Sequence, residues 1–347
     1  MSFSDLASGV ASQRPSAWTE RLLIEYLPDS APKTRDETTG ADVVQGLSQV
    51  QKTLPPKYFY DDRGSQLFEQ ICSLPEYYLT RTETAILQTY ANDLTRLTGE
   101  CELVELGSGS STKTRLLLNA YQDLNYPLHY RPIDVSAGIL ESSAHRLLED
   151  YPGLNVHALV GTYELGLKHL SDSYLSKRMI SFLGSSLGNL TSEECDRFFT
   201  QIAAALHPGD YFLLGVDLHK ATAQLEAAYN DKQGITAEFN LNILRHLNQR
   251  FNGNFDLTQF QHVAFYNEAL HQIEMHLRSL KNQVATLAGL DFVVELEAGE
   301  TIQSEISRKF DLPTLQHQLQ NSGLNYVRSW MDANQWFALA VFERRNS

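Results

Sequence analysis

Between Cys101 and about Gly215 the chain alternates short apolar runs with helix-period stretches, and this alternation restricts the fold more than any other feature. The order is CELVELG, TKTRLLLNAYQ, HYRPIDVS, ILESSAHRLLEDY, NVHALVG, RMISFLG, EECDRFFTQIAAAL and YFLLGVD. Strands buried on both faces read as continuous apolar runs, and helices between them return the chain for parallel pairing, so the pattern predicts a doubly wound α/β sheet. After Pro313 a helix, LQHQLQNSG, precedes LNYVRSWMD and QWFALAVFERR. These two runs, joined by a polar turn at Asp332 to Asn334, predict an antiparallel hairpin that completes the sheet. The intervening tract changes character, with helical QLEAAYNDKQGITAEFNLNILRHLNQRF followed by alternating HVAFYNEALHQIEMHLRSLK and DFVVELEAG. It reads as an insertion building a second, smaller α+β lobe, and 347 residues are enough for both. The expected division is a doubly wound core at 83–218 completed by 310–347, a second lobe at 219–309, and a segment 1–82 that contributes to that lobe. Within 1–82, LPDSAPKTRDETTGAD reads as a loop, helical spacing begins near Asp42, and the tyrosines between Lys57 and Glu83 read as an exposed surface. Arg81 to Leu97 reads as an amphipathic helix.

Charge and cysteine content narrow the function. A net charge of −14 opposes a phosphate backbone, so nucleic acid is not the expected partner. Cys72, Cys101 and Cys195 form no CxxC pair and suit free thiols in a reducing compartment. With no apolar run of membrane-spanning length and no signal-like start, a soluble, cytoplasmic protein is expected. No histidine spacing suggests a metal, and none is expected. Oligomeric state is not legible.

The sharpest local signal is VELGSGSSTKT, where an apolar run enters a turn with Gly107 and Gly109 before a helix. Glycines there let a ligand approach the backbone, but Thr112 stands where a dinucleotide fingerprint needs its third glycine. Glu105 and Asp134, each near the end of an apolar run, suit the hydroxyls of a ribose. With AALHPGDYFLLGVD and the final hairpin, this turn resembles the class I S-adenosylmethionine-dependent methyltransferases.

A longer set of motifs sharpens the resemblance: LPPKYFYDDRGSQLFEQICSLPEYYLTRTE, ELGSGSSTKT, FLGSSLGNL, AAYND, EMHLRS and SEISRKF. In this order they are similar to the histidine-specific Nα-methyltransferases of ergothioneine biosynthesis, which convert L-histidine, through its mono- and dimethyl forms, to the trimethylated betaine hercynine. The resemblance implies S-adenosylmethionine against Gly107, Gly109, Lys113 and Asp134, with Asp134 on the ribose. Thr162 and Tyr163 fall where adenine would lie, and Thr162 stands where the family commonly has Asp. For histidine it implies Asn189 and Tyr229 at the α-carboxylate, and Tyr60 and the backbone at Gly184 beside the α-amine. Tyr77, Glu305, Ser307 and Met275 would surround the imidazole. Plainer readings stand beside these: Glu305 on the solvated side of a strand, Tyr60 and Tyr77 as packed aromatics, Asn189 as a cap, Met275 as core filler, and Lys113 as a solvated charge. Two other functions stay open at this point, methylation of another amine such as a tryptophan derivative, and non-catalytic binding of S-adenosylmethionine as a sensor or scaffold.

Overall fold

The computed structural model describes residues 20–28 and 40–345. The fourteen strands of this part are, in chain order, β1 (Leu22–Tyr26), β2 (Lys52–Thr53), β3 (Glu102–Leu106), β4 (Leu128–Asp134), β5 (Leu154–Val160), β6 (Arg178–Phe182), β7 (Tyr211–Asp217), β8 (Phe260–Asn267), β9 (Gln272–Ser279), β10 (Gln283–Leu287), β11 (Phe292–Leu296), β12 (Thr301–Arg308), β13 (Leu324–Met331) and β14 (Phe337–Arg344). Eight of them make one sheet in the order β1-β5-β4-β3-β6-β7-β14-β13. Pairing is parallel from β1 to β7, and β14 runs antiparallel to both β7 and β13. This is the class I methyltransferase arrangement, with the expected hairpin supplying the reversed strand β14 and with β1 added at the far edge. Strands β3, β6 and β7 are buried along their whole length, as their mainly apolar runs suggest, and the charged residues they carry, Glu102, Glu105, Arg178 and Asp217, are buried with them. Successive residues feed opposite faces: Leu103 and Leu213 belong to one buried cluster, Val104, Phe212 and Leu214 to the other.

A third apolar cluster lies apart from these two. It joins Phe59, Leu67 and Tyr77 from the early segment to Phe239, Ile243 and Leu247 of the helix Ile235–Arg250, and to Ile273, Met275 and Ile302. Its sheet has the order β2-β12-β9-β8, so the two residues Lys52 and Thr53 extend a sheet built from the inserted tract. The long helical reading of that tract breaks in two, at Thr222–Tyr229 and Ile235–Arg250. Asp231 makes the break by accepting from the backbone N–H groups of Ile235 and Thr236 at 3.0 and 2.8 Å.

Several expectations for the early part need correction. Leu22–Tyr26, which carried no legible role, is an edge strand parallel to β5. The loop expected over residues 27–42 lies mostly outside the described residues, and its last two, Ala41 and Asp42, begin a helix. Helical spacing from Asp42 ends early, at Ala41–Leu47, before β2. The helix expected from Arg81 starts at Tyr78 and runs to Thr98. The tyrosines of that region are mostly not exposed, because Tyr58, Tyr77 and Tyr78 are buried in apolar packing and Tyr60 alone keeps 46% of its surface. Among the described residues no helix is long and apolar enough to cross a membrane.

One interior glycine has a specific reason. Gly215 sits in the middle of β7, where a Cβ would collide with Oε1 of the buried Glu83. Glu83 cannot readily yield, since it accepts from the Gly184 N–H at 2.9 Å and pairs with Lys113 Nζ at 2.5 Å. Gly215→Ala is expected to destabilise the protein by about 1–3 kcal/mol, the usual cost of overpacking, read as a lowered urea midpoint at unchanged slope.

Candidate active site

Strands β3 and β6 are neighbours, while β3's connection leads away to β4 and β6's to β7, so the sheet's topological switch lies at their carboxyl ends. Two glycine turns meet there. At the end of β3, Gly107 and Gly109 have φ of 70° and 48°, and the space a Cβ would fill is open at both. Asp134, half-buried at the end of β4, accepts from Gly109 N–H and Ser136 N–H, each at 2.9 Å, and thereby ties the turn to the next helix. Ser108 Oγ is buried without a partner. An open glycine cradle, a fixed carboxylate and an orphaned hydroxyl fit S-adenosylmethionine, whose ribose presents hydroxyls to an acceptor. Glu105, expected to share that task, instead turns inward: it accepts from Tyr130 OH at 2.5 Å and from the Thr114 hydroxyl, and its carboxyl is raised by burial.

The other cofactor candidates surround this turn. Gly161 N–H donates to the Asp134 carbonyl at 2.9 Å, which brings Thr162 next to that strand end. Thr162 caps the helix Tyr163–Lys168 by accepting from Leu165 N–H at 3.4 Å, a task that Asp performs equally well. Tyr163 packs edge-on against Phe198 at 5.6 Å. Lys113 reaches from the first turn toward the second, ending 3.4 Å from where a Gly184 Cβ would stand.

Beside the Gly184 turn opens a pocket. All eight residues expected at the acceptor line it, and they arrive from separate segments. Tyr60 ends the short 3₁₀ turn Pro56–Phe59, and Tyr77 precedes the helix Tyr78–Thr98. Gly184 and Asn189 follow β6, and Tyr229 ends the helix Thr222–Tyr229. Met275 lies on β9, opposite Glu305 of β12, with Ser307 two residues on. Phe68, Thr236 and Phe239 also line it, which the sequence reading missed. Tyr60 meets Phe68 and Phe239 edge-on at 5.8 and 5.9 Å, so one wall is aromatic. Tyr60 also lines this pocket, and desolvation by the surrounding protein pushes its hydroxyl above the usual tyrosine range, keeping it a neutral phenol.

Glu305 owes its position to a bulge. Residues 301–303 pair with 278–276 in regular register, and the same register continued would set Glu305 opposite Glu274 on the far face. The register shifts between Gln303 and Glu305, so Glu305 pairs with Met275 and turns to the pocket. Ser304, the extra residue, bonds Asn240 Oδ1 at 2.6 Å and the Met275 carbonyl at 3.1 Å. Neither the Glu305 carboxylate nor the Asn189 amide has a hydrogen-bond partner among the described residues, which leaves both to a ligand. Burial pushes the Glu305 carboxyl up to about 7 against the pull of Lys309.

Behind the pocket lies a buried charge network that no sequence motif announced. Asp217 meets Lys220 Nζ at 2.6 Å, Lys309 Nζ at 3.0 Å and Tyr78 OH at 2.7 Å. Its members come from β7, the segment after β12 and the helix at Tyr78. The only local hint was Asp217 at the end of an otherwise apolar run.

The profile of histidine-specific, S-adenosylmethionine-dependent methyltransferases matches residues 39–344. A histidine N-alpha-methyltransferase of Mycolicibacterium smegmatis is 42% identical over 323 residues, which are 93% of this chain and 99% of that protein. Its counterpart in Mycobacterium tuberculosis is 40% identical over 300 residues, covering 86% of this chain and 93% of its own. Ergothioneine biosynthesis protein 1 of Neurospora crassa is 37% identical over 201 residues, 57% of this chain and 23% of the longer protein. A match across nearly the whole length, on a sheet of this topology, makes the chain a member of the histidine-specific, S-adenosylmethionine-dependent methyltransferase family.

Proposed function

We propose that this protein methylates the α-amine of L-histidine three times in succession, yielding hercynine, the trimethylated betaine of ergothioneine biosynthesis. The observation that carries this reading is Glu305, an unpartnered carboxylate turned by a bulge into a pocket beside the glycine turns. A carboxylate so placed forms a charge-assisted hydrogen bond with an imidazole N–H, and an apolar side chain would leave it buried and unpaired. Asn189 holds the α-carboxylate with Tyr229 lining the pocket beside it, the Tyr229 proton being committed to Ser307 Oγ at 2.8 Å, while Tyr77 and Met275 pack against the ring. Gly107, Gly109, Lys113 and Asp134 hold S-adenosylmethionine, with Thr162 and Tyr163 at its adenine. When bound, that cofactor supplies an electrophilic methyl carbon.

The remaining work falls to positioning. An amine attacks only through its free lone pair, and a buried site beside aromatic walls disfavours the ammonium form. Tyr60, kept a phenol by its surroundings, accepts a hydrogen bond from the amine and passes the departing proton to water. The faces of Tyr60 and Phe239 accommodate the growing N-methyl groups and attract the cationic product. In this reading 219–309 form the substrate lobe with help from 1–82, and 83–218 with 310–347 form the methyl-transfer core; the separate third apolar cluster supports it.

Incubating the purified protein with S-adenosylmethionine and each of the twenty amino acids tests the assignment by mass. One, two and three methyl additions are expected on histidine. Equal additions on tryptophan, or cofactor binding without turnover on any amino acid, would contradict it.

A further inference from the structure

Lys309 follows Glu305 and Ser307 along the chain, and its side chain is wholly buried. Its Nζ reaches three oxygens: Asp217 Oδ2 at 3.0 Å, Ser307 Oγ at 2.8 Å and Tyr229 OH at 3.3 Å. An ammonium carries three donors and no acceptor, so these partners use all of its protons. Asp217 is held from the other side by Lys220 and Tyr78, which anchors the lysine to the main sheet instead of the pocket strand.

This arrangement decides what Ser307 can do. Its Oγ accepts from Lys309 and also from Tyr229 OH at 2.8 Å. A hydroxyl has two lone pairs and one proton; with both lone pairs engaged, it can only donate, and Ser307 lines the pocket. Glu305 faces the same pocket and, ionised, can only accept. That end therefore offers one committed donor and one committed acceptor. A ring that satisfies both presents one bare nitrogen and one N–H, as neutral imidazole does. Imidazolium would set a second N–H against the Ser307 proton.

We propose that Lys309 is a positioning residue that holds Ser307 as a donor and so makes the pocket select the neutral form of its substrate's imidazole. This rests on the histidine reading above. The titratable groups facing the site are Glu305 on the same strand, Asp217 and Lys220 at the end of β7, Tyr229 from its helix, Tyr77 and Tyr78 at the start of theirs, and Tyr60 and Cys72 from the early segment. Their titration affects any amino acid in the pocket, so the test must cancel it.

A ratio of affinities does so. Binding of histidine and of 1,2,4-triazol-3-ylalanine is measured by calorimetry with S-adenosylhomocysteine present. The triazole keeps a bare nitrogen and an N–H yet stays uncharged across the range. In the native protein, histidine should weaken relative to the triazole by about tenfold per pH unit below the imidazole pKa of about 6.5, with a flat ratio above it. In Lys309→Met, which leaves Asp217 paired with Lys220, the slope should vanish, because Ser307 regains a free lone pair. A native ratio that stays flat, or a Lys309→Met ratio that keeps the native slope, overturns the proposal. Should Lys309→Met lose S-adenosylhomocysteine binding, Ser307→Ala is read the same way, and a retained slope there overturns it equally. Failure of the native protein to bind either ligand sinks the histidine reading itself and is distinct from these outcomes.

Discussion

Glu305→Ala is expected to weaken histidine binding by about 2–5 kcal/mol, roughly thirty- to several-thousand-fold, the range seen when one side of a buried, hydrogen-bonded charge contact is removed. The loss should fall on KM, because the carboxylate holds the ring and not the reacting nitrogen. S-adenosylhomocysteine affinity should be unchanged, since the glycine turns and Asp134 lie outside this contact. Calorimetry on both ligands checks the pair of statements, and an unaltered histidine affinity would remove Glu305 from the site. A pH dependence follows with a definite sign. The carboxyl is pushed up to about 7 by burial, so in the free protein it is protonated below that pH and accepts no imidazole proton well. The kcat/KM for histidine should therefore rise with pH through about 7. Glu305→Gln should lose this limb, keeping only the one at about 6.5 that belongs to the substrate's own imidazole and is absent with 1,2,4-triazol-3-ylalanine.

Asp134→Ala should act on the other ligand. The carboxylate binds two backbone N–H groups that shape the glycine turn, and in the proposed site it also receives the ribose hydroxyls. Hydrogen bonds to a charged group contribute about 1.5–3 kcal/mol each, so losing the ribose contacts and loosening the turn should weaken S-adenosylhomocysteine by about a hundredfold or more. Histidine should then give no added thermal stabilisation with S-adenosylhomocysteine present, because the ternary site no longer assembles. Wild-type affinity for S-adenosylhomocysteine in Asp134→Ala would mean that the cofactor is held elsewhere.

The sheet was legible because burial on both faces leaves its mark: β3, β6 and β7 are mainly apolar, with only a few polar residues such as Glu105 and Asp217, and are separated by helix-period stretches. The hairpin at the end was legible from two runs and a polar turn. Strand β1 escaped notice because LLIEY lies at an edge, half exposed, within a polar stretch. The tyrosines from Tyr58 to Tyr78 misled for the opposite reason, since composition does not tell a buried aromatic from a surface one. Phe68 and Phe239 read as ordinary apolar positions of amphipathic helices, and nothing local distinguishes a pocket wall from a core.

What the sequence by itself determined was local: where strands and helices lie, which turn has glycines free of side chains, and which residue types stand in the family's motifs. The facing of Glu305 belongs to the tertiary structure. Alternation along TIQSEISRKF assigns it to a face only if the strand is regular, and the extra residue at Ser304 reverses that parity, which only the register against β9 reveals. The same holds for Lys309. Its charge is stable in the interior because Asp217, from a distant strand, is brought beside it where the chain after β12 bridges the end of β7, Phe310 N–H donating to the Asp217 carbonyl at 2.9 Å, and no periodicity in a single segment records such a meeting.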